Sequence, residues 1–143
     1  MKGYRFRLQK LLDMRVDKEE ESKIQFQQAQ NESLKTKEKL IQMEETYKKY
    51  NNISSGSIIE QKIRHIYIKN LTYNINETIE ELQEKEKIVE SKREELKQRQ
   101  MDRKTVEILK DKDIDTFKKE QNRIEQNLND EFALYGFIRS LRR

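Results

Sequence analysis

This chain has no proline, no cysteine and no tryptophan, and its glycines are confined to Gly3, Gly56 and Gly136. Without proline, and with a single interior glycine before the C-terminal stretch, little stands in the way of long uninterrupted helices. Without cysteine there is no disulfide framework, which suits the cytosol. No window approaches the roughly 18 consecutive apolar residues of a membrane span. The opening "MKGYRFRLQKLLDMRVDKEEE" also lacks the apolar core and small-residue end of a cleaved leader, so neither secretion by a cleaved signal nor a transmembrane segment is expected. A single histidine, His65, lies between Arg64 and Ile66, which is too little for a metal site;.

What the chain has in abundance is charge, at 41% of its residues against 33% apolar. That apolar fraction is too small for a compact core but sufficient for a narrow seam along a helix. Such charge also suits disorder, but disordered chains lack regular apolar spacing. The net charge is +4, with acidic and basic residues interleaved almost everywhere, which weakens the case for a polyanion-binding stripe;.

Apolar residues recur at alternating steps of three and four, which places them on one helix face. The first arm has a seam of Leu8, Leu12, Arg15, Glu19, Ser22, Phe26, Ala29, Ser33, Thr36, Leu40, Met43, Tyr47 and Tyr50. In the second arm Ile75, Ile79, Leu82, Glu86, Val89, Arg93, Leu96, Gln100 and Arg103 continue an apolar start at Ile58, Ile59, Ile63, Ile66, Ile68 and Leu71. Between the arms lies "NNISSGS". Asn51 or Asn52 can take the left-handed conformation that ends a helix, and "SIIE" reads as a capping box in which Ser57 and Glu60 exchange hydrogen bonds.

The expected fold is therefore all-α: one elongated antiparallel two-helix coiled-coil hairpin over residues 1–143, with the second helix the longer. Helix 1 is expected over about 4–52, the loop over about 53–57 and helix 2 over about 58–141. A tight turn near 54 and 55 would set Leu12 against Leu96, Phe26 against Leu82, Leu40 against Ile68 and Met43 against Ile66. Small Ala29 and Ser33 would then meet bulky Ile79 and Ile75. The last 35 or so residues would lack a partner, yet Val106, Leu109, Phe117, Ile124, Leu128, Phe132, Tyr135 and Ile138 fall broadly on one side. An unpaired apolar stripe marks either a binding surface or a segment that folds back, and "DKDID" at 111–115 is the natural place for a bend.

No nucleophile setting and no glycine-rich phosphate loop is present, and two helices side by side offer no pocket for retuning a carboxylate. No catalytic residue, cofactor or metal is expected. The termini "MKGYRFRLQK" and "IRSLRR" are basic, but no groove-reading motif accompanies them, so a nucleic-acid partner is not expected; those ends could also meet an acidic protein or lipid head groups.

The segments "FRLQKLLDMR" (6–15), "LIQMEETYKKY" (40–50), "DRKTVEILKDK" (102–112) and "DEFA" (130–133), in this order, resemble the FliJ family of flagellar type III export proteins. That resemblance implies an antiparallel coiled coil similar to the central stalk of rotary ATPases. Such a protein sits in the pore of the hexameric flagellar export ATPase, promotes its assembly and activity, contacts the membrane-embedded export gate and handles cargo chaperones. It would be cytoplasmic, held peripherally at the membrane through the export apparatus, and a monomeric hairpin when free.

On this resemblance the ATPase-binding residues would be Arg103, Lys104, Glu107, Phe117, Ile124, Leu128, Asp130, Glu131 and Phe132. Phe6, Leu8 and Leu11 would either join them or simply close the coiled coil. Leu71 and Ile75 match the spacing of the export-gate contact. The alanine-rich first helix of the family is reduced here to Ala29. Three other readings stay open: an escort for export cargo, the equivalent stalk of a virulence secretion system, and a plain coiled-coil tether.

Overall fold

The structure, a computed structural model describing residues 2–143, consists of α1 (Gln9–Asn51) and α2 (Ile58–Leu141). The chain is 89% helical, with the helices packed against each other and no strand among the described residues. Two compact units divide it: one is Lys18–Arg99, and the other combines the residues up to Asp17 with Gln100–Arg143.

Within Lys18–Arg99 the helices run antiparallel. The Lys85 ammonium donates to Thr36 Oγ1 at 2.9 Å, Lys92 donates to Gln25 Oε1 at 3.3 Å, and the Tyr50 and Tyr67 rings meet edge-on at 5.0 Å. All the α1 seam residues expected in this unit, from Glu19 to Tyr50, are buried or half-buried. On α2 the covered residues form two rows, each repeating every seven residues as a left-handed helix pair requires. Ile68, Ile75, Leu82, Val89 and Leu96 make an apolar row; Leu71, Thr78, Lys85, Lys92 and Arg99 make a mostly polar one.

The second row corrects the sequence expectation. Ile79, Glu86 and Arg93 are exposed, and the residue just before each is the one covered. Apolarity drew the reading to Ile79, whereas the seam takes lysines that lay their methylene stems along it and carry the ammonium outward. Lys85 thereby also reaches Glu81 at 3.1 Å and Glu32 at 3.7 Å.

The register differs too. The Arg93 guanidinium lies 5.8 Å from the Phe26 ring, and Thr78 Oγ1 lies 3.6 Å from Met43 Sδ, so the positions opposite are not Leu82 and Ile66. Each α1 residue meets a position about three helical turns further along α2 than a turn centred on the loop would give. The first turns of α2 consequently run past the end of α1, and residues 58–63 are all exposed.

Loop chemistry explains this entry into α2. Ser57 N–H donates to Glu60 Oε2 at 3.3 Å and Glu60 N–H donates to Ser57 Oγ at 3.2 Å, the capping box expected from "SIIE";. The Arg64 guanidinium reaches back to the Ile53 and Ser55 carbonyls at 2.9 and 2.8 Å. Neither Asn51 nor Asn52 is left-handed; α1 ends instead on an Ile53 N–H to Tyr50 carbonyl bond at 3.4 Å, and Gly56 takes the positive φ, at 135°.

In the other unit α1 begins at Gln9, later than the periodicity would start it, because the residues before it form a non-helical strap against α2. Gly3 turns the strap at φ 85°. Phe6, Leu12 and Val106 form the buried cluster, flanked by Tyr4 and Leu11. Leu12 is thus grouped with Val106 rather than meeting Leu96. Lys110 donates to Gln9 Oε1 at 2.8 Å, and Arg15 donates to the Asp102 carbonyl at 2.7 Å. Past the strap α2 continues as helix through 111–115 to Leu141, and every residue from 118 to 143 is exposed.

Candidate partner-binding surfaces

No element among the described residues covers the tail of α2, yet it is helical. Its sequence supplies local support: Lys119 pairs with Asp115 at 3.1 Å, and Arg123 grips both Glu120 oxygens at 2.6 and 3.1 Å, which holds the Glu120 carboxyl below its usual range;. Ile124, Leu128, Phe132, Tyr135 and Ile138 lie on one side of it, as the spacing predicts, and all are exposed. Asp130 and Glu131 are exposed beside them.

From Phe132 onward the apolar surface is not a stripe but a girdle. At about 100° per residue, the run Phe132, Ala133, Leu134, Tyr135, Gly136, Phe137 and Ile138 passes right around the helix. Phe132 is 73% exposed, Tyr135 69% and Phe137 61%; Arg139 lies in the last turn of the helix, which ends at Leu141, and Arg142 and Arg143 follow it.

The other residues assigned to the same surface lie nearer the strap. Arg103 and Glu107 pair with each other at 2.7 Å across one turn, and Lys104 is exposed beside them. Phe117 is half-covered, because the Tyr4 ring packs edge-on against it at 5.3 Å while the Tyr4 hydroxyl donates to Asp113 Oδ2 at 3.0 Å. Desolvation first, then that hydrogen bond and the Asp113 charge, push the Tyr4 pKa above its ordinary value. Phe6 and Leu11 belong to the closing cluster, whereas Leu8 is exposed.

A second apolar surface lies at the loop end of the Lys18–Arg99 unit. Ile58, Ile59, Ile63 and Ile66 are between 60% and 75% exposed. The sequence reading counted them as the start of the seam; only the register shows that α1 has ended before it could cover them. Leu71, by contrast, is 8% exposed and Ile75 is half-buried, so both face inward here. His65 is exposed in the same region, and no group of acidic or histidine side chains suited to a metal ion occurs among the described residues.

A helical pair with polar seam rows, a closing strap and a bare basic-ended tail is a distinctive arrangement, and comparison with known families decides what it is. The family described as flagellar FliJ protein matches residues 4–142. The chain belongs to the FliJ family. No curated protein and no solved structure matches it. Members of the FliJ family are non-catalytic components of flagellar protein export, and this chain has a role in that process. No helix among the described residues is long and apolar enough to cross a membrane.

Proposed function

We propose that this FliJ-family chain binds the hexameric flagellar export ATPase in the manner of a central stalk and stimulates it, without catalysing a reaction itself. The observation that carries this reading is the exposed girdle at residues 132–138. A groove-shaped partner needs apolar side chains on one face, whereas side chains presented on all sides suit a partner that encloses the helix, as the sleeve of a ring does. Asp130, Glu131 and Arg139 at its borders would meet charged loops of that ring, and Ile124 and Leu128 would extend the contact toward Phe117. Arg103, Lys104 and Glu107 would form its outer margin.

The same protein would link the ATPase to the cytoplasmic part of the membrane export gate and to flagellar cargo chaperones through the loop-end unit. A gate contact at Leu71 and Ile75 requires the helices to part there, since Leu71 is covered. In this reading the protein works in the cytoplasm and is held at the membrane through the export apparatus.

The test is the hydrolysis rate of the cognate export ATPase with the full chain and with a version ending at Lys119, which keeps Asp113 and Phe117 and hence the strap's contacts. Stimulation by the full chain, lost in the shortened one, supports the stalk reading. Equal rates with and without the full chain overturn it.

A further inference from the structure

The first turns of α2 carry two apolar faces, and α1 covers only one. Ile68, Leu71 and Ile75 are buried or half-buried, whereas Ile59, Ile63, Ile66 and Tyr73 are all more than half exposed. At 100° per residue these four fall within about 80° of one another, on the side of the helix away from the seam, and they extend over about 21 Å. Asn70 is the one polar residue along this line, and Glu77 ends it. Lys62 and Lys69 border the stripe on one edge, about 20–40° further round, and Tyr67 borders it on the other. The same stretch is the poorest in carboxylates. Residues 61–76 form the longest run without Asp or Glu, and between positions 46 and 76 Lys48, Lys49, Lys62, Arg64 and Lys69 stand against Glu60 alone. Glu60 is already committed to the Ser57 cap. Over the rest of the chain basic and acidic residues balance at 26 each, so the net charge of +4 is carried here.

We propose that this outer face of α2, over residues 59–73, lies on an anionic lipid bilayer, with the isoleucines at the boundary between head groups and acyl chains. Branched aliphatic side chains along the centre, lysines on one edge and tyrosine on the other are the order of side chains that an interfacial helix presents to lipid. Lys62 and Lys69 have no ion-pair partner among the described residues, and a lysine stem is long enough to carry its ammonium from an inserted helix up to the phosphates;. An anionic bilayer meets both features at once, since it accepts apolar side chains and attracts a local excess of positive charge without requiring carboxylates at fixed points. Because α1 packs on the opposite side of α2, the contact leaves the helix pair closed, as a contact at covered Leu71 would not.

The full chain, with no other export protein present, is mixed with vesicles of phosphatidylcholine alone or of equimolar phosphatidylcholine and phosphatidylglycerol. The absence of native cysteine allows one environment-sensitive fluorophore on Ile66→Cys, within the stripe, or on Thr72→Cys, exposed about 120° away from it;. On the mixed vesicles the Ile66→Cys label should shift to the blue and lose its quenching by iodide, while the Thr72→Cys label stays accessible. Neutral vesicles should bind far less. Read from the Ile66→Cys label, Lys62→Gln/Lys69→Gln should weaken partition about 25-fold, at about fivefold for each cation beside an anionic surface. Ile59→Ser/Ile63→Ser should weaken it at least about tenfold. All four side chains are exposed, so the fold should tolerate these changes, and circular dichroism checks the helix content. Equal shielding at both label positions, or partition indifferent to the lysines, overturns the proposal. Vesicle capture without shielding at Ile66 also overturns it and assigns the lipid contact to another surface. No capture at all overturns it in favour of a protein cover for the stripe. The lipid contact needs neither ATPase nor gate, so its failure leaves the stalk reading standing.

Discussion

At Gly56 two constraints meet at one Cα. Its φ of 135° is closed to side chains of ordinary handedness, and a Cβ there would stand 2.6 Å from Glu60 Oε2, the oxygen that caps α2. Gly56→Ala should cost about 1–3 kcal/mol in urea unfolding, through strain and a displaced cap together. Tyr4 offers a residue-level test of the strap by pH. Its folded-state pKa is raised, so its contribution is fully present below the ordinary tyrosine value of 10.0 and disappears as pH rises through the folded value;. Tyrosine absorbance titration should show Tyr4 ionising later than an exposed tyrosine, and Asp113→Asn should narrow that gap. At this scale the sequence was legible where chemistry is local. Ser57 and Glu60 announce their cap by spacing alone, but Asn51 and Asn52 looked like the left-handed terminus because asparagine tolerates it. The positive φ falls instead on Gly56, where a Cβ would crowd the cap carboxylate.

For the helices, the first seam was readable from Leu12 onward, Leu8 lying exposed before α1 begins, and the second only in half. Apolar Ile75, Leu82, Val89 and Leu96 stand out from any background, but a row of Thr78, Lys85, Lys92 and Arg99 looks like solvated surface unless its seven-residue period is sought beside them;. Register was the harder matter, because two periodic seams can be aligned at several offsets and pattern alone does not rank them. The polar row ties the alignment down by contact: Lys85 reaches across to Thr36 and Glu32 on α1. Replacing both lysines, as Lys85→Leu/Lys92→Leu, should raise stability by about 1 kcal/mol while weakening that selection. Oxidation of Phe26→Cys/Leu82→Cys measures the loss. The cross-link should be negligible in the wild-type background and detectable once both lysines are gone. The tail was legible as a stripe from its spacing, but spacing did not say that it would run on as helix with every residue from 118 to 143 exposed.

Taken as a whole chain, the molecule joins residues over very different sequence separations. The capping box joins positions three apart and Arg64 closes the loop over nine and eleven, whereas Tyr4 reaches Asp113 across 109. Closing a short loop is fast and inexpensive in entropy, and closing a long one waits on everything between. Folding should therefore start beside Gly56 and proceed outward, with the strap docking last. Pulsed hydrogen exchange should show amides near Arg64 protected before those near Val106. The consequence reaches into synthesis. On the ribosome the strap emerges before Asp113 and Phe117 have been made, and it must stay undocked until both are out.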